Sequence, residues 1–496
     1  MNLQQELCNS ILQHHDRVAF VINHVEHTYK DLAFSISSIR REIEDKIPSD
    51  EIQIGLVANN DLQTYAAIFA IWFEGKSFVP IDLESPEERN NNIISQTNLS
   101  FVIDSSDEPT FKKLNTVLSK SLSGDFDLSK VKTIPNESTA YILFTSGTTG
   151  IPKGVPITFN NLIAFREAFY DFGIELNKDD RCLQMFGLTF DVSVMSYMLP
   201  VLKGARIYTI PKDEIKFNYI FELIQDEKLT YALMVPSILH YLRPYFEEID
   251  SPYLRYCLLC GEGLPQDVTE ELAQRLPNTE IMNVYGPTEC TMLCTGYKYK
   301  SVESKDKSHN GIVSIGKPWK SVDVIIIDEA NNILETGEKG ELCLAGSLLT
   351  PGYWNNQKKN EEAFFYIDYK GKRTRFYKTG DLCYMDKDDD IMFLGRIDFQ
   401  AKVQGGYRVE LSEIELYAKK GLDKTNVVAV AYTNKIGTTN IGLVIESENF
   451  DTTIFIKYLK EHLPSYMIPS QIKFAENFPL NVNGKIDRNE LKKMFD

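Results

Sequence analysis

Residues 141–155 read YILFTSGTTGIPKGV, a polar, glycine-containing turn between two apolar runs. Phe144 is predicted to end a strand, and the chain then turns at Gly147 and Gly150. Successive backbone N–H groups in such a turn form a concave site for anions, to which Lys153 adds a cation. Neither the P-loop spacing nor the dinucleotide-binding spacing G-x-G-x-x-G is present. By itself the stretch is equally typical of an ordinary Ser/Gly turn and of a phosphate-binding loop.

Around this loop, short strand-like runs alternate with helical patterns. The run IQIGLVA (52–58), for example, precedes the helical stretch DLQTYAAIFAIWFEG (61–75). Such alternation predicts βα units with parallel sheets, so we expect an α/β fold. The runs at 322–328 and 340–346 have no helix between them and predict an antiparallel or barrel-like section. The polar stretch at 356–362 is predicted to be a loop.

A small α+β unit is predicted after the stretch FLGRIDFQAKVQGGYRVELSEIE (393–415). We place the boundary at Asp398, which gives a large unit, residues 1–397, and a small mobile unit, residues 398–496. From residue 399 onwards there are 13 Lys and Arg against 12 Asp and Glu, whereas the first 398 residues hold 40 against 58. The small unit is thus nearly neutral while the large unit is acidic, which indicates that the two units have separate tasks.

The composition is that of a globular protein with more than one domain. The chain has 496 residues, of which 43% are hydrophobic and 25% charged, and its net charge is −17. This acidity argues against binding to nucleic acids or anionic membranes, which requires a basic surface. No apolar run reaches the roughly 18 residues of a membrane span, and no signal-peptide pattern is present. The eight cysteines are scattered, as in a reducing compartment, so we expect a cytoplasmic protein, and a monomer because no dimerisation pattern is found.

Four further motifs follow the glycine loop: NVYGPTEC (283–290), YKTGDL (377–382), GRIDFQ (395–400) and NGKIDR (483–488). Together with the loop they resemble, over essentially the whole chain, the adenylate-forming (acyl-activating) enzyme superfamily. Within it, the resemblance is to free-standing amino-acid adenylation enzymes such as the D-alanine–carrier protein ligases. It implies that a carboxylate attacks the α-phosphorus of ATP and expels pyrophosphate. The site must then neutralise phosphate charge and hold the attacking oxygen in line.

The resemblance also implies where ATP binds. The glycine loop would hold the triphosphate, Tyr285 would stack on adenine, and Asp381 would accept the ribose hydroxyls. Glu289 would hold Mg²⁺, a hard cation that prefers carboxylate and phosphate oxygens. The ATP-binding residues implied are Thr145, Ser146, Gly147, Thr148, Thr149, Gly150, Lys153, Gly261, Glu262, Asn283, Val284, Tyr285, Gly286, Pro287, Asp381, Gly395, Arg396 and Lys485.

Two residues are implied to be catalytic. Lys485 would bridge the carboxylate and the α-phosphate, and Thr288 would donate a hydrogen bond to that phosphate. Without the other motifs, NGKIDR would be interpreted as a turn with a solvated lysine, because Asn-Gly favours turns. Since Lys485 lies on the small unit and the glycine loop on the large one, the small unit has to move between steps. Asp398 matches the hinge position of the family.

Asp191, in TFDVSVM (189–195), would pair with the α-ammonium group of an amino acid; the alternative role of an aspartate here is to cap a helix. The resemblance extends the substrate pocket to a mostly apolar set, which disfavours polar side chains. A small apolar amino acid is therefore expected, with D-alanine the best candidate and another aliphatic amino acid the alternative. The pocket residues are Phe190, Asp191, Val192, Met195, Met234, Leu258, Cys260, Val284, Met292 and Leu293.

The sequence has no phosphopantetheine attachment motif, so the expected acceptor is a phosphopantetheinylated carrier protein acting in trans. Coenzyme A is the competing acceptor and would make the protein an acyl-CoA ligase. A third hypothesis is a non-catalytic nucleotide-binding protein with the same fold. One departure from the family pattern is an additional glycine, Gly406, in KVQGGYRVE (402–410). The spacings of Cys257 with Cys260 and Cys290 with Cys294 also allow a zinc site, but residues three apart in a strand face opposite sides.

Overall fold

The computed structural model describes residues 2–120, 122, 128, 130–147, 150–301, 303–397, 400–423, 425–479 and 486–495. The predicted site residues outside the described ones are Thr148, Thr149, Asp398 and Lys485. In the part of the chain described, no helix has both the length and the apolar character that crossing a membrane requires.

Helices and strands alternate through most of the chain. The helices are α1 (Leu3–Gln13), α2 (Tyr29–Lys46), α3 (Leu62–Phe73), α4 (Glu87–Thr97), α5 (Phe159–Asp171), α6 (Val192–Lys203), α7 (Lys216–Gln225), α8 (Ser237–Leu242), α9 (Gln266–Arg275), α10 (Gln357–Ala363), α11 (Leu411–Gly421), α12 (Thr453–His462) and α13 (Arg488–Lys492). The strands are β1 (Val18–Ile22), β2 (Val25–Thr28), β3 (Gln53–Val57), β4 (Ser77–Ile81), β5 (Phe101–Asp104), β6 (Asn115–Leu118), β7 (Thr139–Thr145), β8 (Lys153–Thr158), β9 (Arg181–Gln184), β10 (Arg206–Thr209), β11 (Tyr231–Met234), β12 (Tyr256–Leu259), β13 (Glu280–Tyr285), β14 (Thr295–Tyr299), β15 (Ser308–His309), β16 (Ile312–Val313), β17 (Lys317–Pro318), β18 (Val322–Ile327), β19 (Gly340–Gly346), β20 (Phe364–Tyr369), β21 (Lys372–Met385), β22 (Ile391–Arg396), β23 (Gln400–Val403), β24 (Tyr407–Glu410), β25 (Val427–Thr433), β26 (Thr439–Glu446) and β27 (Gln471–Ala475).

Two largely parallel sheets form the body of the large unit. One has nine strands in the order β17-β14-β13-β12-β11-β9-β10-β1-β2, and the other has six in the order β6-β5-β3-β4-β7-β8. The pairings from β1 through β10, β9, β11 and β12 to β13 are parallel. The predicted α/β class is confirmed.

Helix α3 joins the two sheets because it is apolar on all sides, as helices inside a core are. Every residue of α3 except Gln63 is buried. The indole N–H of Trp72 donates to the Ala140 carbonyl oxygen of β7 at 2.8 Å. On the other side, the ring of Tyr65 stacks on Phe20 of β1, with centroids 4.7 Å apart.

The section predicted to be antiparallel or barrel-like forms an antiparallel sheet in the order β18-β19-β21-β20, with β22 paired to β21. The prediction of a loop at 356–362 is wrong, because helix α10 occupies it. Asn356 caps this helix, and Lys359 pairs with Glu362 at 2.6 Å. None of the α10 residues is buried, so the sequence holds no hydrophobic period that could have indicated a helix.

The C-terminal residues form the hairpin β23–β24 and the sheet β25-β26-β27, against which α11 and α13 pack, while α12 packs on α11. Their buried apolar side chains make two clusters within residues 401–495 that are separate from the main core. The α+β character predicted for this unit is present. The boundary at Asp398 falls outside the described residues and stays a prediction.

Candidate active site

The site is organised by three neighbouring parallel strands, β11, β12 and β13. Their register aligns Met234 with Leu259 and Leu259 with Asn283. Ligands of α/β proteins bind at the carboxyl ends of such strands. This edge carries Met234, Cys260 and Val284, three residues of the predicted pocket.

The glycine loop connects the antiparallel strands β7 and β8, with Thr145 opposite Lys153. The Thr145 hydroxyl is buried and has no hydrogen-bond partner among the described residues. The Ser146 hydroxyl donates to the carbonyl oxygen of Arg408 at 2.9 Å, and the N–H of Gly150 donates to the Gly147 carbonyl at 2.9 Å. An unpaired buried hydroxyl is costly, and Thr145 also borders the cavity described below.

Lys153 is buried beside the loop. Burial is the main cause that lowers the pKa of its ammonium group, although Glu289 and Glu410 act in the opposite direction. Its Nζ lies 3.6 Å from Oε1 of Glu410 and 5.4 Å from the centre of the Tyr353 ring. The cation is therefore held in place by two contacts.

Tyr285, Asp381 and Arg396 come together although they belong to three different motifs. The Tyr285 hydroxyl donates to one oxygen of Asp381, and Arg396 Nη1 lies 2.7 Å from the other. Arg396 and Gly395 end strand β22, which pairs with β21 in a register that aligns Asp381 with Arg396.

The motif that begins at Asn283 is fixed by backbone contacts. The Asn283 side-chain amide donates to the carbonyl oxygens of Val313 at 3.1 Å and Ser314 at 2.9 Å, so it braces the strand end. A Cβ at Gly286 would lie 2.3 Å from the Met292 carbonyl oxygen, so only glycine fits before Pro287.

Glu289 is a fully buried carboxylate. It accepts hydrogen bonds from the Tyr353 hydroxyl at 2.7 Å and from Arg408 Nη1, which lies 2.9 Å from Oε2. Burial alone would raise its pKa, but the charges of Arg408 and Lys153 outweigh burial and lower the pKa to about 2. Glu289 is thus ionised, as a metal ligand must be.

Asp191 caps helix α6, as the alternative interpretation expected, because its Oδ1 accepts the Val192 N–H at 2.8 Å. It also accepts a hydrogen bond from Thr288. Burial raises the pKa of the Asp191 carboxyl to about 6, against the opposing effect of these two hydrogen bonds. Because few groups compensate for the burial of this carboxylate, a cationic ligand beside it would strongly stabilise its ionised form.

A cavity of about 390 Å³ opens beside Asp191. Its lining comes from both units and includes Thr145, Ser146, Phe190, Asp191, Thr288, Tyr407, Arg408 and Tyr466. The other predicted pocket residues do not appear in that lining but lie in the main core with side chains 4% exposed or less: Val192, Met195, Met234, Leu258, Cys260, Val284, Met292 and Leu293.

Similarity to known proteins agrees with this arrangement. A family model described as AMP-binding enzyme matches residues 9–354. The chain is 33% identical over 433 residues to the D-alanine--D-alanyl carrier protein ligase of Bacillus velezensis. The aligned region covers 84% of this chain and 84% of that protein. The chain belongs to the AMP-binding enzyme family.

Other relatives of this adenylate-forming ligase differ in length. The chain is 30% identical over 483 residues to tyrocidine synthase 3 of Brevibacillus parabrevis. This match covers 94% of the chain but only 7% of the much longer synthase. The fold matches the Vibrio cholerae adenylation domain AlmE, solved with glycyl-adenosine-5'-phosphate, at a TM-score of 0.86 and 23% identity over 99% of this chain and 97% of that chain. At this identity the likeness shows the fold.

Enzymes of this family use ATP, and the described residues fit its phosphates. Three polar groups lie in the glycine loop or at its two ends: the unpaired hydroxyl of Thr145, the hydroxyl of Ser146 and the ammonium of Lys153. The ionised carboxylate of Glu289 fits Mg²⁺. Within the described residues, no group of three or more His, Cys, Asp or Glu side chains is placed to hold a metal ion.

Sequence reasoning missed four side chains at this adenylate-forming site: Lys402, Arg408 and Glu410 on the hairpin, and Tyr353. The Lys402 ammonium lies 5.1 Å from the centre of the Tyr285 ring. The first three belong to the segment KVQGGYRVE, in which only the additional glycine stands out from the family pattern. No local pattern marks Tyr353.

The side chain of Glu262 also has a role that the sequence did not indicate. Its carboxylate accepts the Ser237 N–H at 2.9 Å and, from the hairpin, the Gly406 N–H at 3.0 Å. Gly406 has φ +77°, and the Gly261 backbone packs closely against it. The additional glycine therefore contacts the large unit.

Proposed function

We propose that this chain activates a small apolar amino acid, with D-alanine as the first candidate, and transfers it to a carrier protein. The amino acid becomes an aminoacyl adenylate with release of pyrophosphate. It then passes to the phosphopantetheine thiol of a separate carrier protein.

The buried carboxylate of Asp191 carries this proposal. It borders the cavity beside Thr288, where an α-ammonium group would neutralise it. Activators of plain carboxylic acids have no need for a buried anion at this position, since it would repel their substrate. The substrate-pocket residues that the family resemblance implies, including Met195 and Cys260, are apolar and buried in the main core. Such a set would favour a small aliphatic amino acid.

The proposed first step uses the ATP-binding residues named above. Thr145, Ser146 and Lys153, with Thr148 and Thr149, would hold the phosphates, and Glu289 would hold Mg²⁺, which neutralises phosphate charge. Tyr285 and Asp381 would position adenosine. Lys485 would stabilise the charge that develops on the α-phosphate, where it is brought by motion of the small unit about Asp398.

Two observations favour a carrier protein as the acceptor. The cavity, bordered by Tyr407 and Tyr466 of the small unit, does not distinguish the acceptors, because coenzyme A and a carrier protein present the same phosphopantetheine arm. The Bacillus velezensis and Bacillus anthracis relatives are named D-alanine--D-alanyl carrier protein ligases. The similarly folded PA1221 is described as containing adenylation and PCP domains.

Adenylation of another aliphatic amino acid for nonribosomal peptide synthesis is the second candidate. It is favoured by the 30% identity to tyrocidine synthase 3 over nearly the whole chain. The two candidates share both chemical steps and differ in the amino acid and the carrier. The cytoplasmic location and the monomeric state stay predictions.

The test is amino-acid-dependent exchange of labelled pyrophosphate into ATP. The panel comprises D-Ala, L-Ala, Gly, Ser, Val, Leu, Ile, Met and Phe, with acetate and benzoate as acids lacking the ammonium group. The proposal expects exchange with one small apolar amino acid, lost in both Asp191→Ala and Lys485→Ala. Exchange with acetate or benzoate that survives Asp191→Ala would overturn it.

A further inference from the structure

Helix α10 buries none of its side chains, yet hydrogen bonds hold it beside the glycine loop. The Asn360 side chain accepts the Tyr353 N–H at 2.6 Å and donates to the Tyr353 carbonyl oxygen at 3.1 Å. The next residue, Trp354, donates its N–H to the Gly154 carbonyl oxygen at 2.8 Å. The helix is thus tied to strand β8, which begins at Lys153.

Tyr353 also reaches the residues to which we assigned phosphate and metal. The centre of its ring lies 5.4 Å from Lys153 Nζ, and its hydroxyl donates to Oε1 of Glu289 at 2.7 Å. One residue therefore contacts the proposed phosphate site with its side chain and helix α10 with its backbone.

Helix α10 carries two lysines, Lys358 and Lys359. Lys358 is exposed and forms no ion pair among the described residues, whereas Lys359 Nζ lies 2.6 Å from Oε2 of Glu362. Burial lowers the pKa of Lys153, and the charge of Lys359 acts in the same direction. The pKa of Glu362 is lowered first by the hydrogen bond from Lys359 and then by the charges of the other two lysines. The three ammonium groups therefore contribute to one region of positive potential.

This positive region stands out on an acidic unit. Residues 356–378, which run from α10 into β21, hold seven Lys and Arg against three Asp and Glu, whereas the first 398 residues hold 40 against 58. An acidic body repels anions, and a local surplus of positive charge beside a cleft attracts them. The position beside Lys153 fits the phosphate end of ATP rather than the adenosine.

Helix stability does not explain the order of the charges. Lys358 and Lys359 lie in the first turn of α10, and Glu361 and Glu362 lie in the last. The helix dipole favours the opposite order, with acidic residues at the start and basic residues at the end. The two lysines therefore weaken the helix that carries them, which favours a role outside it.

We propose that Lys358 and Lys359 form a phosphate-attracting site, which draws the terminal phosphates of ATP towards Lys153 and the glycine loop. This inference rests on the proposed function for the identity of the nucleotide. Glu362 opposes the attraction, because its carboxylate offsets part of the charge of Lys359. The two lysines are positioning residues, since Lys153 remains the residue that would hold phosphate.

The test is the affinity for ATP in the presence of Mg²⁺, measured by titration calorimetry with AMP as the reference. When both lysines are replaced, by Lys358→Gln and Lys359→Gln, the affinity for ATP should fall about two- to fivefold at an ionic strength of about 0.02 M. At about 0.5 M the difference should nearly vanish, because salt screens exposed charges. AMP lacks the two terminal phosphates, so its affinity should stay nearly unchanged.

Glu362→Gln should have the opposite effect, with ATP bound up to about threefold more tightly at low salt. This sign separates an electrostatic role from a structural one, since damage to the helix would weaken binding in every variant. The matched control combines Lys317→Gln and Lys320→Gln at the edge of the nine-stranded sheet. Both lysines are exposed, and Lys320 pairs with Asp171 at 3.4 Å as Lys359 pairs with Glu362. The control should bind ATP nearly as the natural protein does.

Unchanged ATP affinity in the double variant, or an equal loss of ATP and AMP affinity, would overturn the inference. A loss of the same size in the control, or weaker ATP binding by Glu362→Gln, would also overturn it. Thermal unfolding of each variant shows that it is folded. Failure of the proposed function has a different signature, since the natural protein would then bind no ATP at either salt concentration.

Discussion

Asp381 and Arg396 are paired across neighbouring strands, with Nη1 of the guanidinium 2.7 Å from Oδ1 of the carboxylate. The Tyr285 hydroxyl donates to the other carboxylate oxygen. A carboxylate held from two sides is oriented before a ligand arrives, so it can accept ribose hydroxyls without reorganising.

Asp381→Asn should raise the KM for ATP and leave the KM for the amino acid nearly unchanged. Hydrogen bonds to a charged group contribute about 1.5–3 kcal/mol, which corresponds to a rise of roughly 10- to 100-fold. Exchange kinetics with each substrate varied in turn measure both constants. Asp390→Asn is the matched control, since Asp390 is a buried carboxylate that pairs with Lys307 at 2.7 Å. Equal effects of both substitutions on the KM for ATP would contradict the assignment.

Thr145→Val should weaken ATP binding without destabilising the ligand-free protein. Its hydroxyl has no hydrogen-bond partner among the described residues, so its removal leaves nothing unpaired, and the free energy of unfolding should stay equal or rise by up to about 1 kcal/mol.

Thr350→Val provides the opposite case, because the Thr350 hydroxyl donates to the Pro156 carbonyl at 2.6 Å. Its loss should lower the free energy of unfolding by about 1–3 kcal/mol. Denaturant unfolding and ATP titration distinguish the two variants. A large loss of stability in Thr145→Val would show that the hydroxyl is structural.

Asp191→Asn should raise the KM for the amino acid by at least about 30-fold while the ATP affinity is retained. Truncating one partner of a buried charge pair costs about 2–5 kcal/mol. Asparagine still caps a helix, so α6 should be preserved. Asp61→Asn is the matched control, because Asp61 caps α3 through the Thr64 N–H at 2.8 Å. If both variants had a similar KM for the amino acid, Asp191 would act only as a helix cap.

The KM for the amino acid should depend on pH below about 6. Burial raises the pKa of Asp191 to about 6, with Glu289 acting in the same direction and Lys402 in the opposite one. Only the ionised form pairs with an ammonium group, so the KM should be flat above pH 7 and rise about tenfold for each unit below 6. The Asp191→Asn profile should lack this rise, whereas a rise of equal size there would assign the titration to another group.

The sequence predicted the local elements well where hydrophobic patterns were strong. The stretch 61–75 became α3, and 52–58 became β3, because burial against two sheets requires these apolar residues. Helix α10 was missed because it buries none of its side chains.

At the site, the motifs identified individual functional residues. They did not identify the residues from distant parts of the chain that contact them. Glu289 and Asp191 could be identified from short patterns. The pairing of Glu289 with Arg408, 119 positions away, depends on how the hairpin docks on the large unit, and no local pattern encodes that geometry. The side-chain role of Glu262 was hidden for the same reason, since its partner Gly406 is 144 positions away.

The most direct test of amino-acid activation and transfer is the intact mass of a phosphopantetheinylated carrier protein after incubation with this enzyme, ATP, Mg²⁺ and D-alanine. Coenzyme A in the same mixture acts as the competing thiol. The account predicts that the carrier gains the mass of one alanyl group, only with ATP present, and that coenzyme A stays unmodified. Acylated coenzyme A beside an unmodified carrier would contradict it.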